Sequence, residues 1–167
     1  MSEKLDIFSD VSNPLDSVED VMASHDWTFD RPHPDELFVH VTGKRGQYRM
    51  TFLWQENFSA MQFFCEMDLT IPESHKTMAA RALMAINQNL WLGHFDIPED
   101  TNTPIFRHTT LFRGMNQTSG ADHIVDLIEI SLAECERHFS VFHMLSSKIH
   151  MNDDVLVLAM ADSEGEA

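Results

Sequence analysis

The chain has 167 residues, 43% of them hydrophobic and twelve of them Phe, which is ample for one packed domain and short for two. Its 27 acidic side chains against 11 basic ones give a formal net charge of −16, so a nucleic-acid backbone or an anionic membrane is repelled on average. No stretch approaches the roughly 18 apolar residues of a membrane helix, and MSEKLDIFSD carries neither the basic nor the apolar region of a signal peptide, so a cytoplasmic protein is expected.

Residues 1–12 are polar and acidic and are expected to be a flexible lead-in to a single α+β domain over 13–161, with 162–167 an acidic tail. Asn13-Pro14 reads as a helix cap followed by proline at the first helical position, with Leu15, Val18, Val21 and Met22 on the apolar side of a helix running to about His25. Trp27-Thr28-Phe29 begins an extended stretch that RPHPDE breaks as a turn. Three antiparallel strands are expected next. Leu37, Val39 and Val41 alternate with Phe38 and His40; TGKRG turns the chain; Tyr48, Met50, Phe52 and Trp54 alternate with Arg49, Thr51 and Leu53; after Glu56-Asn57, Met61, Phe63, Cys65, Met67 and Leu69 alternate with Gln62, Phe64 and Glu66. One face is strongly apolar and the other mixed, the pattern of a sheet covered by helices on one side only.

Ile71-Pro72-Glu73 reads as the start of a central helix with Pro72 at its first position. Ala79, Leu83, Ile86 and Leu90, widened by Met78 and Ala82, line its buried face, and Gly93 is expected to close it in a left-handed conformation. Phe95 and Ile97 then point opposite to His94 and Asp96, and Ile105 to Arg113 completes a second hairpin, about five strands in all. A long helix follows from Ala121, with Ile124, Leu127, Ile128, Ser131, Leu132, Cys135, Phe139 and Phe142 on its apolar face and Glu129, Ala133, Glu134 and Arg137 outside it. Ser146-Ser147 weakens that helix, and Asn152-Asp153-Asp154 reads as the cap of a short one over Val155 to Ala161.

No residue pattern announces a reaction. Cys135 and His138 are three apart, but Cys135 belongs to the apolar stripe of an acidic chain, where a nucleophilic thiolate is disfavoured. Cys65 and Cys135 have no CxxC or zinc spacing and read as buried reduced thiols. Glu134 and His138, four apart, read as an intrahelical pair on the wet face. His94, Asp96 and His108 are the candidate metal ligands because a hairpin brings neighbouring strand ends together, but HExxH and HxH are absent, and satisfied or surface histidines are the favoured reading. Asn87 is expected to hydrogen-bond a strand end or the Gly93 turn. Met50, Met61, Met67, Met78 and Met84 with Trp54 and Trp91 are read first as core filling and second as a partner groove. Phe38, Leu53, Phe64, Met78 and Trp91 are the candidate partner-binding residues.

The element order, together with LMAINQNLWLGHFDI, PIFRHTTLFRG and LIEISLAECERHFSVF, resembles the bacterial YbjN family of sensory transduction regulators over residues 14 to about 145. Where that family carries Trp-Gly-Gly after the position of Phe142, this chain reads His143-Met144-Leu145-Ser146-Ser147. The family is similar in fold to type III secretion chaperones, which are small, acidic, commonly dimeric α+β proteins. The resemblance implies a non-catalytic, cofactor-free, protein-binding regulator or chaperone-like module of the bacterial cytoplasm. It also implies a homodimer, and it supplies no catalytic residues. The competing reading is a small-ligand or metal-binding sensor built on the His94/His108 hairpin.

Overall fold

The computed structural model of the chain describes residues 13–115, 117–147 and 157. Its elements are helix α1 (Leu15–Ser24), strands β1 (Phe29–His33), β2 (Glu36–Thr42), β3 (Gln47–Gln55) and β4 (Ala60–Met67), helix α2 (Lys76–Asn87), strands β5 (His94–Asp96) and β6 (Ile105–Leu111), and helix α3 (Gln117–Ser146). The six strands form one antiparallel sheet in the order β1-β2-β3-β4-β6-β5. α3 contacts α1, α2 and β4. The expected α+β architecture, helices on one side of an antiparallel sheet, is the one observed.

The sheet's inner face is the row-by-row product of period-two alternation. Leu37, Val39 and Val41 on β2, Tyr48, Met50, Phe52 and Trp54 on β3, and Met61, Phe63, Cys65 and Met67 on β4 are all buried, and Phe95 and Phe106 continue the face onto β5 and β6. Against them α1 sets Leu15, Val18 and Met22, α2 sets Ala79, Ala82 and Ile86, and α3 sets Ile124, Leu127, Ile128, Cys135, Val141, Phe142 and Leu145. At the head of α1 the Asn13 side-chain oxygen accepts the Leu15 N–H at 2.9 Å, and Pro14 is helical at φ −70°, as the Asn-Pro pair predicts.

Five expectations are corrected. RPHPDE is not wholly a turn: Arg31, Pro32 and His33 belong to β1, where the missing N–H of Pro32 is tolerated because β1 is an edge strand. Pro72 is extended (ψ 148°) and precedes a 3-10 turn over Glu73–His75, so α2 begins at Lys76. α2 closes at Asn87, because Asn87-Gln88-Asn89 competes with the helix through its side chains; Gly93 is left-handed (φ 66°) but sits at the entry to β5 instead of the helix end. Glu134 and His138 are not on the wet face: they are 9% and 2% exposed, and Phe95 of β5 meets the His138 ring edge-on at 5.7 Å. α3 also begins earlier than Ala121, at Gln117, taking in Gly120. Of the short helix expected over Val155 to Ala161 only Val157 is described, and its backbone is helical; the N-terminal segment and the acidic tail lie outside the described residues.

Candidate functional site

Because all three helices share one side, the other side of the sheet has no covering layer among the described residues. Three cross-strand rows make it up. Phe38, Thr51, Phe64, Arg107 and His94 are successive neighbours in one; His40, Arg49, Glu66, Ile105 and Asp96 in the next; Glu36, Leu53, Gln62 and Thr109 in the third. Phe38, Leu53 and Phe64 are half-buried there. What shields them is cationic: the Arg49 guanidinium lies 4.3 Å from the Phe38 ring centre, and that of Arg107 lies 5.2 Å from the Phe64 ring centre. Arg107 Nη1 also donates to Asp96 Oδ2 at 3.0 Å. Arg49 opposes Glu66 in the strand register, yet its guanidinium folds over Phe38, and among the described residues it has no carboxylate partner. Beside it a cleft of about 360 Å³ opens between His40, Arg49, Glu66 and Asp68.

The five candidate partner-binding residues do not form one surface. Phe38, Leu53 and Phe64 share the open face. Met78 is half-buried on α2 and packs against the core, and Trp91, 76% exposed, stands in the turn after α2 with Met84 exposed on that helix. Met50, Met61, Met67 and Trp54 are core residues.

The hairpin expected to gather metal ligands sends them apart. His94 pairs with Arg107 and so shares the open face with Asp96, whereas His108 pairs with Phe63 on the helix-covered face. There His108 meets His123 of α3, ring centres 6.5 Å apart, and Thr110 Oγ1 lies 2.7 Å from His123 Nε2. Burial pushes both imidazoles below their ordinary range, and for His108 the neighbouring His123 and His94 add to the effect. No group of three or more His, Cys, Asp and Glu among the described residues could hold a metal ion.

Nor is Cys135 poised as a nucleophile. Its S–H donates to Cys65 and not to His138, and burial, with the Cys65 contact second, pushes the thiol well above its usual range. His138 Nε2 instead stands 3.5 Å from Glu134 Oε2, and that contact, with Arg137 adding, holds the Glu134 carboxyl below its usual range against the opposing effect of burial. Burial first, then Glu136, raises the Tyr48 phenol, which makes no hydrogen bond of good geometry.

Two polar anchors hold the frame of the face. The Asn87 side chain donates to the Phe95 carbonyl at 3.0 Å and accepts the Phe95 N–H at 2.8 Å, which is the strand-end contact the sequence suggests. Glu136 accepts the Arg45 backbone N–H at 2.9 Å, and Arg45 Nη1 donates to Ser140 at 3.1 Å, clamping the β2–β3 turn onto α3. Gly43 permits this approach, since a Cβ there would overlap Glu136 Oε1. Sequence reasoning missed the clamp and both Arg–Phe stacks. A lone Arg among alternating strand residues carries no mark of the ring it will cover, although Arg49 and Arg107 both fall in the mixed half of the alternation.

No curated protein matches the chain. The crystal structure of YbjN from E. coli, described as a putative transcription regulator, is similar at a TM-score of 0.49 and 14% identity, covering 74% of this chain and 92% of that one. The family profile described as "YbjN: Putative bacterial sensory transduction regulator" matches residues 14–144, from Pro14 at the head of α1 to Met144 in the last turn of α3, and therefore takes in all six strands and the helices behind them. On that match, which spans well over half of the sequence, the chain belongs to the YbjN family.

Proposed function

We propose that the protein is a non-catalytic, protein-binding regulator, homodimeric as its fold resemblance implies, and that the open sheet face receives the partner. The observation that carries this reading is the pair of Arg–Phe contacts on a sheet face that no helix among the described residues covers. A guanidinium seated over a ring keeps N–H groups for further bonds, and among the described residues Arg49 has no carboxylate partner. The complementary partner is a protein segment that lays apolar side chains on Phe38, Leu53 and Phe64 and offers a carboxylate to Arg49. Family membership supports the regulatory role, and the burial of Cys135 against Cys65 supports the absence of catalysis. The metal-sensor alternative has no favouring geometry, because His94 and His108 occupy opposite faces.

The test compares tagged wild type with Arg49→Glu, Phe64→Ser and, on the helix side, Trp91→Ala, all purified from the native host. Wild type and Trp91→Ala should retain one partner in stoichiometric amount, and the two open-face variants should lose it at an unchanged melting temperature. Retention by both open-face variants, or loss only from Trp91→Ala, would sink this assignment of the surface. Light scattering of the purified chain tests the dimer, and a monomer mass overturns it.

A further inference from the structure

The chain contains two cysteines, 70 residues apart in sequence, and they meet in the middle of the core. Cys65 lies on β4, flanked in the sheet by Met50 of β3 and Phe106 of β6; Cys135 lies on α3 directly across from it. Their sulfurs are 3.8 Å apart and both residues are wholly buried. Hydrogen bonding between thiols is weak, so the contact is a poor reason for two cysteines where two apolar residues would pack as well. A disulfide, in contrast, needs the sulfurs only about 1.8 Å closer.

We propose that Cys65 and Cys135 are an oxidative modification site, a dithiol that peroxide converts to an intrachain disulfide fastening α3 to β4, and that the reaction waits on α3 loosening from the sheet. In the closed state no oxidant reaches either sulfur, and burial, with Glu134 and Glu136 nearby, keeps the Cys135 thiol protonated. α3 is held over this pair by its buried apolar side chains and, at the surface, by two polar ties, the Arg45 N–H to Glu136 and the Arg45 guanidinium to Ser140. When they part, one thiol loses its proton to water and its sulfur attacks a peroxide oxygen. The O–O bond breaks, leaving a sulfenic acid and hydroxide, which takes up a proton to become water. The second sulfur then attacks the sulfenic sulfur: S–S forms, S–O breaks, and the oxygen leaves as water with the thiol proton. Two thiols are oxidised by two electrons in all, and one hydrogen peroxide is reduced to two waters.

The experiment treats the folded, full-length chain with hydrogen peroxide, denatures it in iodoacetamide, and reads intact mass and melting temperature over time. The expected product has lost two hydrogens, takes up no alkyl group, melts higher than the reduced chain, and reverts with dithiothreitol. Its rate should double when peroxide is doubled, because α3 recloses faster than a thiol reacts with peroxide, and Glu136→Gln, which weakens the clamp, should form it roughly fivefold faster. Cys135→Ser, or Cys65→Ser if the first folds poorly, should give no such product. Two alkylated cysteines at every time point, or an intermolecular disulfide or sulfinic acid as the only product, would overturn the site. A rate that Glu136→Gln leaves unchanged would overturn the gate.

Discussion

The two faces of the sheet are written by the same strands, one residue out of step, and they differ in what covers their aromatic rings. On the inner face Phe52 tilts against Phe63 at 5.0 Å, Phe95 meets Phe106 edge-on at 5.5 Å, and Phe142 of α3 closes on Phe95 at 5.1 Å; all are buried by other apolar groups. On the outer face Phe38 and Phe64 are covered by guanidinium groups that water also reaches. The inner rings cannot leave without opening a cavity. The outer covers can move aside at small cost, which is how a face is kept soluble and still available for contact.

Adjacent residues of one strand give the sharpest way to break this comparison. Phe63→Ala should cost about 3–5 kcal/mol in urea unfolding, whereas Phe64→Ala, one residue on, should cost about 1 kcal/mol or less. Equal costs would mean that the outer face is as sealed as the inner one. Gly93→Ala comes next, at roughly 2–4 kcal/mol, because it combines a left-handed backbone with a crowded Cβ. That Cβ would overlap the Phe106 ring and lie 2.8 Å from the Arg107 carbonyl, with φ at 66°. Asn87→Ala should cost about 1–3 kcal/mol by leaving the Phe95 N–H and carbonyl unmatched, and an unchanged melting temperature would remove Asn87 from the frame.

The smallest effect is a pH dependence that also separates the faces. His108 and His123, on the covered side, resist protonation in the fold, so the unfolded chain takes up protons first as pH falls. Stability is therefore full above the ordinary histidine range and declines as pH drops through it toward the lowered folded values. Glu134, held below its usual range, adds a further loss at lower pH. Thermal melts between about pH 7.5 and about pH 5.5 should show the first decline, and His108→Asn with His123→Asn should flatten it. His94→Asn, on the open face, removes only the last of the three contributions to the His108 shift and should change the slope less than either of those substitutions.

Sheet faces were legible because alternation needs only local chemistry: Tyr48, Met50, Phe52 and Trp54 declare their side without any knowledge of a partner. The Asn13-Pro14 start and the left-handed Gly93 were legible for the same reason. The burial of Glu134 and His138 was not, since it depends on tertiary contacts such as that of Phe95, some 40 positions earlier in the sequence, with His138, and Arg137 beside them gives the segment a polar look. Strand β1 was hidden by Pro32 and Pro34, which mark turns in most settings and are admitted here by an edge position. The meeting of Cys65 with Cys135 belongs to tertiary arrangement alone, and no spacing rule encodes it.

The two edges of the sheet carry a last consequence. β1, at one end, contains Pro32 and a register shift between Asp30 and His33; β5, at the other, is three residues long, and the Asn87 amide occupies the main-chain groups of Phe95 that face away from β6. Among the described residues neither border offers a long regular run of vacant amides on which a foreign strand could be templated, which guards the sheet against fibril-like lateral growth. Lengthening of the sheet by an added strand is disfavoured at both borders.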